Sequence, residues 1–433
     1  MSRRAAVALI VFALGAPAAA APGDGFDVDR YHVALTPDYA SRTVSGRTRI
    51  DLRVTTEGLT EIAFTPNQLA LGEARLNGRP VSVTQRADGL VFLPDAPLRR
   101  GERVRLEVTY TGSAVRGLTF GARSAYSNWF SCDWMICLLD RPGDKAAIEL
   151  ALTVPAGQTT LGPGALVARR PGANGTETHV WRSARPYSSY LYSFAAGPFA
   201  AWRSRAGGVT LQVLSETATA DRLGRLFAPT ADMLRFFADR AGVAFPHRIY
   251  AQLHVPGGAA QESVSFSLIG EEAIAPILET PQEDWVIAHE LAHQYWGNLV
   301  TCADWTQFWL NEGLATFMVA AWKEQRWGRA AYDREMEIAR RRYARAVEAG
   351  FDVPLTFAGP YPSLGIRRAI TYSRGALFLD ALRTELGDAA FWPALRAYTR
   401  RHAGGVVTSR DFQHAFERSS GRDLSAIFNR WVY

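Results

Sequence analysis

Apolar and polar residues alternate along the first half of the chain. The stretches "TVSGRTRIDLRVT" (43–55), "GERVRLEVTYTG" (101–112) and "AAIELALTVPAG" (146–157) set apolar side chains at every second position, with turn residues between them. That period is what a strand needs to bury one face and wet the other. From Phe26 to about Ala200 no long helical pattern interrupts it, so an all-β unit is expected there. After "FAAGPFAAWRSRAGG" (194–208) the texture changes. Strands are expected at "VTLQVL" (209–214) and "RIYAQLHVP" (248–256), flanking a helix near 220–240, and from Pro281 onward helical spacing dominates. The expected fold is α+β and multidomain, with an all-β unit over 22–204 and a mostly helical unit over 205–433. A chain of 433 residues exceeds what one hydrophobic core serves, so such a division fits its length.

The N-terminus, "MSRRAAVALIVFALGAPAAAAPGD" (1–24), has a different pattern: Arg3 and Arg4, an apolar run, then small residues before Pro22. These are the three parts of an export signal, expected to span 1–21 with cleavage near Ala20 or Ala21. A membrane anchor is the other reading, but Pro17 and the shortness of the run count against it. No later segment reaches membrane-spanning length. The expectation is a protein exported to the periplasm or secreted, with no stable membrane insertion once the signal is cut.

The net charge of +6 is small for this length, and its densest run, "RRYAR" (341–345), reads as a solvated helix face. Nothing else favours nucleic acid as a partner. Three cysteines are too few for a disulfide framework. Cys132 and Cys137 are near enough in sequence to pair in an oxidising compartment, and buried free thiols are an equally ordinary state; either way Cys302 is left over.

The candidate chemistry lies in "VIAHELAHQYWGN" (286–298). On a helix, positions i and i+4 share a face, so His289 and His293 can direct their imidazoles at one point. Glu290 stands one residue further round, placed to reach a water beside a metal and not the metal itself. With eight histidines in the chain, this motif alone is suggestive, and catalytic zinc asks for a third protein ligand. Glu312 supplies a candidate: it follows His293 after eighteen residues in "DWTQFWLNEGLATF" (304–317), amid Trp309, Leu310, Leu314 and Phe317. A carboxylate in such company needs a partner.

At this point the sequence resembles the gluzincin zinc aminopeptidases of the aminopeptidase N type, peptidase family M1. "HELAHQYWGNLVT" and "WLNEGLATF" are similar to that family's metal motifs, "LLDRPGDKAAIELALTVPAG" (138–157) and "ARPYSSYLYSFAAGPF" (184–199) to its N-terminal β domain. "AITYSRGALFLDAL" (369–382) looks like its tyrosine segment, and 408–433 like the end of its catalytic domain. The family's further C-terminal domains have no counterpart among these residues, which suggests a short form. The resemblance implies a saddle-like β domain followed by a thermolysin-like catalytic domain. It also implies one zinc ion per chain held by His289, His293 and Glu312, Glu290 as general base, Tyr372 as oxyanion donor, and peptides as substrates. Where the family carries G-x-M-E-N, this chain has "GGAAQESVSF" (257–266), so Glu262 stands where the family binds the substrate α-amine, while Gln261 and Ser263 depart from the motif. Val319 replaces an acidic residue common in relatives, and Asn128 is the nearest counterpart of the family's amine-site glutamine. The expected function is an exported zinc aminopeptidase. The alternatives are a zinc hydrolase that needs no free N-terminus, and a noncatalytic peptide-binding relative.

Overall fold

The computed structural model describes residues 20–113 and 116–433. Residues 1–19, which hold most of the expected export signal, lie outside the described residues. Phe26–Asp38 and Thr43–Val54 pair as a long antiparallel ribbon. Its alternation is the one read from sequence: Val44, Thr48, Ile50, Leu52 and Val54 are buried while Arg47 and Arg53 face solvent. These strands sit at the centre of a nine-stranded sheet that runs from Ala165–Pro171 at one edge to Arg79–Pro80 at the other. Lys145–Pro155 lies parallel to Phe26–Asp38, and the other pairings along the sheet are antiparallel. Separate sheets of three and four strands complete the unit, and one hydrophobic cluster, which includes Phe26, Ile50, Phe64, Leu106, Trp134 and Ile148, draws on all of them.

The second unit opens on a five-stranded sheet whose order is Ala200–Ala206, Val209–Ser215, Ile249–Val255, Phe266–Gly270, Ala260–Gln261. Its first strand straddles the boundary expected near 205. The three middle strands are parallel and both edges antiparallel. Ala220–Leu226 and Thr230–Ala241 are the helices between the second and third strands. The rest is helical apart from the short parallel pair Thr301–Cys302 and Val406–Val407, from Trp285–His293 to Ser425–Trp431, around a second cluster that includes Leu291, Trp309, Leu314, Phe317, Phe378 and Phe412.

The two units are stitched together beside the metal helix. Lys145, which begins a β-unit strand, donates from Nζ to the carbonyls of Asn298, Leu299 and Gly405 at 3.3, 3.2 and 2.8 Å. Burial pushes its pKa down to about 7, and these three carbonyls are what its nitrogen receives in place of water. Val264 N donates to Leu191 O at 3.0 Å, Gly164 N to Ser265 Oγ at 3.0 Å, and Asn311 Nδ2 to Tyr190 Oη at 3.0 Å. Cys132 and Cys137 are joined as a disulfide, with their Cα atoms 5.1 Å apart, and Cys302 is a buried free thiol.

Candidate metal centre

The helix Trp285–His293 is buried along almost its whole length, so the two histidines one turn apart have nowhere to point but inward. Their Nε2 atoms are 3.0 Å apart. Glu312 enters from the first turn of the helix Trp309–Trp327, where the helix dipole favours a carboxylate. Its Oε2 lies 3.2 Å from His289 Nε2 and 3.3 Å from His293 Nε2. These three separations match the edge of a tetrahedron with bonds of about 2 Å, which is roughly 3.3 Å. Two imidazoles and one carboxylate are also the donor set of a catalytic zinc with one position left open. The residues therefore fit the metal.

The electrostatics agree. Burial opposes the charge of Glu312, but the His293 and His289 rings outweigh it and hold the carboxyl well below the usual carboxylate range. Burial also opposes protonation of His293, yet Glu312 outweighs burial and raises that ring to about 10. His289 is pushed down by burial and then by the charge on His293. A dication would take these donors in their deprotonated form. His293 Nδ1 sits 3.0 Å from the Trp296 carbonyl, so the proton on that side is held there and Nε2 is left free as a ligand atom.

Glu290 is 5% exposed, and its Oε2 has no hydrogen-bond partner among the described residues. Burial pushes its carboxyl well above the usual range. Tyr372 lies on a π-helical turn, Ala369–Arg374, between the short helix Leu364–Arg368 and the helix Gly375–Leu386. Its ring stacks on His289, with centroids 5.7 Å apart and planes 7° from parallel. Burial, then the Glu312 and Glu262 carboxylates, push its hydroxyl well above the ordinary phenol range, so it remains an O–H donor. Tyr372→Phe keeps that stack and removes the donor. The expected result is a fall of about a hundredfold in kcat with KM little changed, because an oxyanion donor acts mainly once charge has developed. Steady-state kinetics on one neutral substrate checks it, and an unchanged kcat would return Tyr372 to a packing role.

Backbone contact fixes the tyrosine segment against the ligand helix. A Cβ placed on Gly313 would come within 2.9 Å of Gly375 Cα, and one on Gly375 within 2.8 Å of Gly313 Cα. Only glycine at both positions allows the two helices to lie this close.

Glu262 follows the edge strand Ala260–Gln261. The loop is clamped to the metal helix by two side chains that sequence reasoning passed over. Gln294 accepts from Ser265 N at 3.2 Å and donates to Ser263 O at 3.0 Å, while Asn298 donates to Glu262 O at 2.8 Å. The only sign of them in sequence is that both lie in the quoted motif, at one and five residues past His293. The clamp holds Ser265 at φ 67°, a backbone region in which non-glycine residues are strained. Glu262 itself is 5% exposed, and its Oε1 has no partner among the described residues. Burial raises its carboxyl, and Glu312 adds to the rise against the opposing His293 charge. Asn128 is engaged within its own loop, donating to Arg116 O and accepting from Phe130 N.

Two imidazoles and a carboxylate around one point, a second carboxylate beside them and a phenol stacked on one ligand define a metallohydrolase centre of the HExxH-plus-Glu type. Residues 227–431 match the model described as "Peptidase family M1 domain". "Aminopeptidase N" of Streptomyces lividans is 26% identical over 322 residues, covering 68% of this chain and 36% of that protein. "Aminopeptidase 2" of Candida albicans is 24% identical over 436 residues, covering 93% and 46%. The chain thus spans less than half the length of these two relatives. Among solved structures, a mutant M1 zinc metallopeptidase from Deinococcus radiodurans superposes with a TM-score of 0.80 at 26% identity, covering 95% of both chains. The same enzyme bound to a Tyr-Ser-Ala substrate superposes at 0.79. Residues 227–431 thus resemble a peptidase family M1 domain, and zinc is the metal that such a domain and this donor set call for.

Proposed function

We propose that the protein is an exported zinc aminopeptidase that releases N-terminal residues from peptides. The observation that carries this reading is Glu262: a buried carboxylate with an oxygen that has no partner among the described residues, in a loop tied to the metal helix by Gln294 and Asn298. A buried carboxylate of this kind calls for a cation, and the α-ammonium of a peptide is one. Bound zinc would polarise the scissile carbonyl and make a water a better nucleophile near neutral pH. Glu290 takes the proton of the attacking water and passes it to the departing amine nitrogen. Tyr372 donates to the oxygen on which negative charge develops. Glu262 holds the α-ammonium, which sets the scissile bond one residue from the N-terminus. Export is supported by the leader pattern of residues 1–21 and by the Cys132–Cys137 bond, which suits an oxidising compartment.

The departures at Gln261 and Ser263 make the amine requirement the point to test. Free-amine peptides are expected to be cleaved far faster than their N-acetylated forms. Glu262→Ala is expected to lose about a hundredfold in kcat/KM on the former, the worth of a charge-assisted contact in a partly dry cleft, with zinc content intact. Equal turnover of blocked and unblocked peptides would replace this reading with a zinc peptidase indifferent to the N-terminus.

A further inference from the structure

Arg367 and Arg368 end the short helix Leu364–Arg368, one turn before Tyr372. Neither side chain makes an ion pair or a hydrogen bond among the described residues, although most arginines around them do: Arg374 pairs with Asp352, and Arg383 with Glu324 and Asp388. Arg367 lies with its guanidinium 5.0 Å from the centre of the Phe308 ring, and Phe308 is the residue whose carbonyl accepts from Glu312 N. Arg368 is exposed and four residues from Tyr372, on the same face of the winding chain. Tyr372 in turn stacks on the His289 ring, with centroids 5.7 Å apart. A helix end would explain two arginines on its own, but there is no free end here. The chain winds on through the π turn into Gly375–Leu386, and the Arg367 carbonyl already accepts from Thr371 Oγ1.

The cleft is therefore polarised. Glu262, Glu290 and Glu312 form its acidic part, and two guanidinium groups without a carboxylate partner among the described residues stand about one turn before the tyrosine. We propose that Arg367 and Arg368 receive a substrate carboxylate beside the scissile bond, either the C-terminal carboxylate of a short peptide or an acidic side chain on a residue next to that bond. Guanidinium is the side chain best matched to a carboxylate, through its planar fork of donors. The proposal rests on the peptidase reading and assigns that site its substrate class: anionic short or acidic peptides.

The test compares kcat/KM on substrates that differ only in one charge. One arm sets Ala-Ala against its C-terminal amide. The other sets N-terminal Glu against Gln in otherwise identical neutral amides. In at least one arm the charged member is expected to be preferred about tenfold, and the arm showing the preference identifies the source of the carboxylate. The doubly substituted variant, Arg367→Gln with Arg368→Gln, is expected to bring that ratio to within about twofold. A parallel calorimetric titration uses Glu290→Gln protein, with and without the two arginine substitutions, and the same peptide pairs. It gives the ratios as dissociation constants, independent of turnover. No charge preference in either arm by either readout, or a preference that survives the double substitution, overturns the arginine assignment. Failure to cleave any of the neutral amides counts against the peptidase reading, and the titration then decides the arginine assignment alone.

Discussion

Glu290→Gln is expected to bind zinc at one ion per chain and to turn over peptides about a thousandfold more slowly, or worse. The side chain is nearly isosteric, and residue 290 lies outside the ligand set of His289, His293 and Glu312, so the metal stays. What is lost is an acceptor. An amide cannot take the proton of the attacking water, and general base catalysis of this kind is worth roughly two to four orders of magnitude. The site has no evident substitute: the other carboxylate nearby that is not a ligand, Glu262, is fixed in the loop clamped by Asn298. Metal analysis alongside kcat decides the matter, and a variant that kept more than about a tenth of the wild-type rate would mean that the base is elsewhere.

Removing the metal is expected to abolish turnover and lower the melting temperature together. The three donors are buried, at 8%, 1% and 3% exposure for His289, His293 and Glu312, and zinc that binds only the folded chain stabilises it by mass action. At a thousandfold excess over its dissociation constant this amounts to about 4 kcal/mol, or on the order of 10 °C for a domain of this size. Scanning calorimetry with a chelator, followed by added zinc, reads both effects. If metal-free and zinc-loaded protein melted at the same temperature, the three side chains would be a hydrogen-bonded cluster and not a metal site.

The parts of the molecule legible in the sequence are those that repeat or that obey a fixed spacing. Alternation over 43–55 announced the strand Thr43–Val54, because period two reports directly which side chains are buried. The donors at 289 and 293 were readable because helix geometry turns a spacing of four into a shared face, and Glu312 because a carboxylate amid Trp309, Leu310, Leu314 and Phe317 needs a partner. The clamps at Gln294 and Asn298 were not, since an amide that reaches a backbone atom thirty-odd residues away leaves no periodic trace. Lys145 was hidden for a similar reason: in sequence it is the polar end of a strand, and only the packed seam brings three carbonyls to it. The π turn at Ala369–Arg374 escaped because its side-chain pattern over six residues does not differ enough from an ordinary helix. The pairing of Cys132 and Cys137 stayed open because proximity in sequence permits a bond without requiring one.

The Gly313–Gly375 contact bears on how the enzyme moves. Glu312 and Tyr372 are each carried on main chain that touches main chain, with no flexible side chain between to act as a cushion. Their spacing behaves like a machined gauge, not like a spring, and thermal rotamer hops in the surrounding core leave it unaltered. Any adjustment of the site must then come from outside this block. A methyl group on either glycine would act far beyond its own volume. It would pry the phenol away from the metal ligands while leaving every catalytic side chain chemically intact.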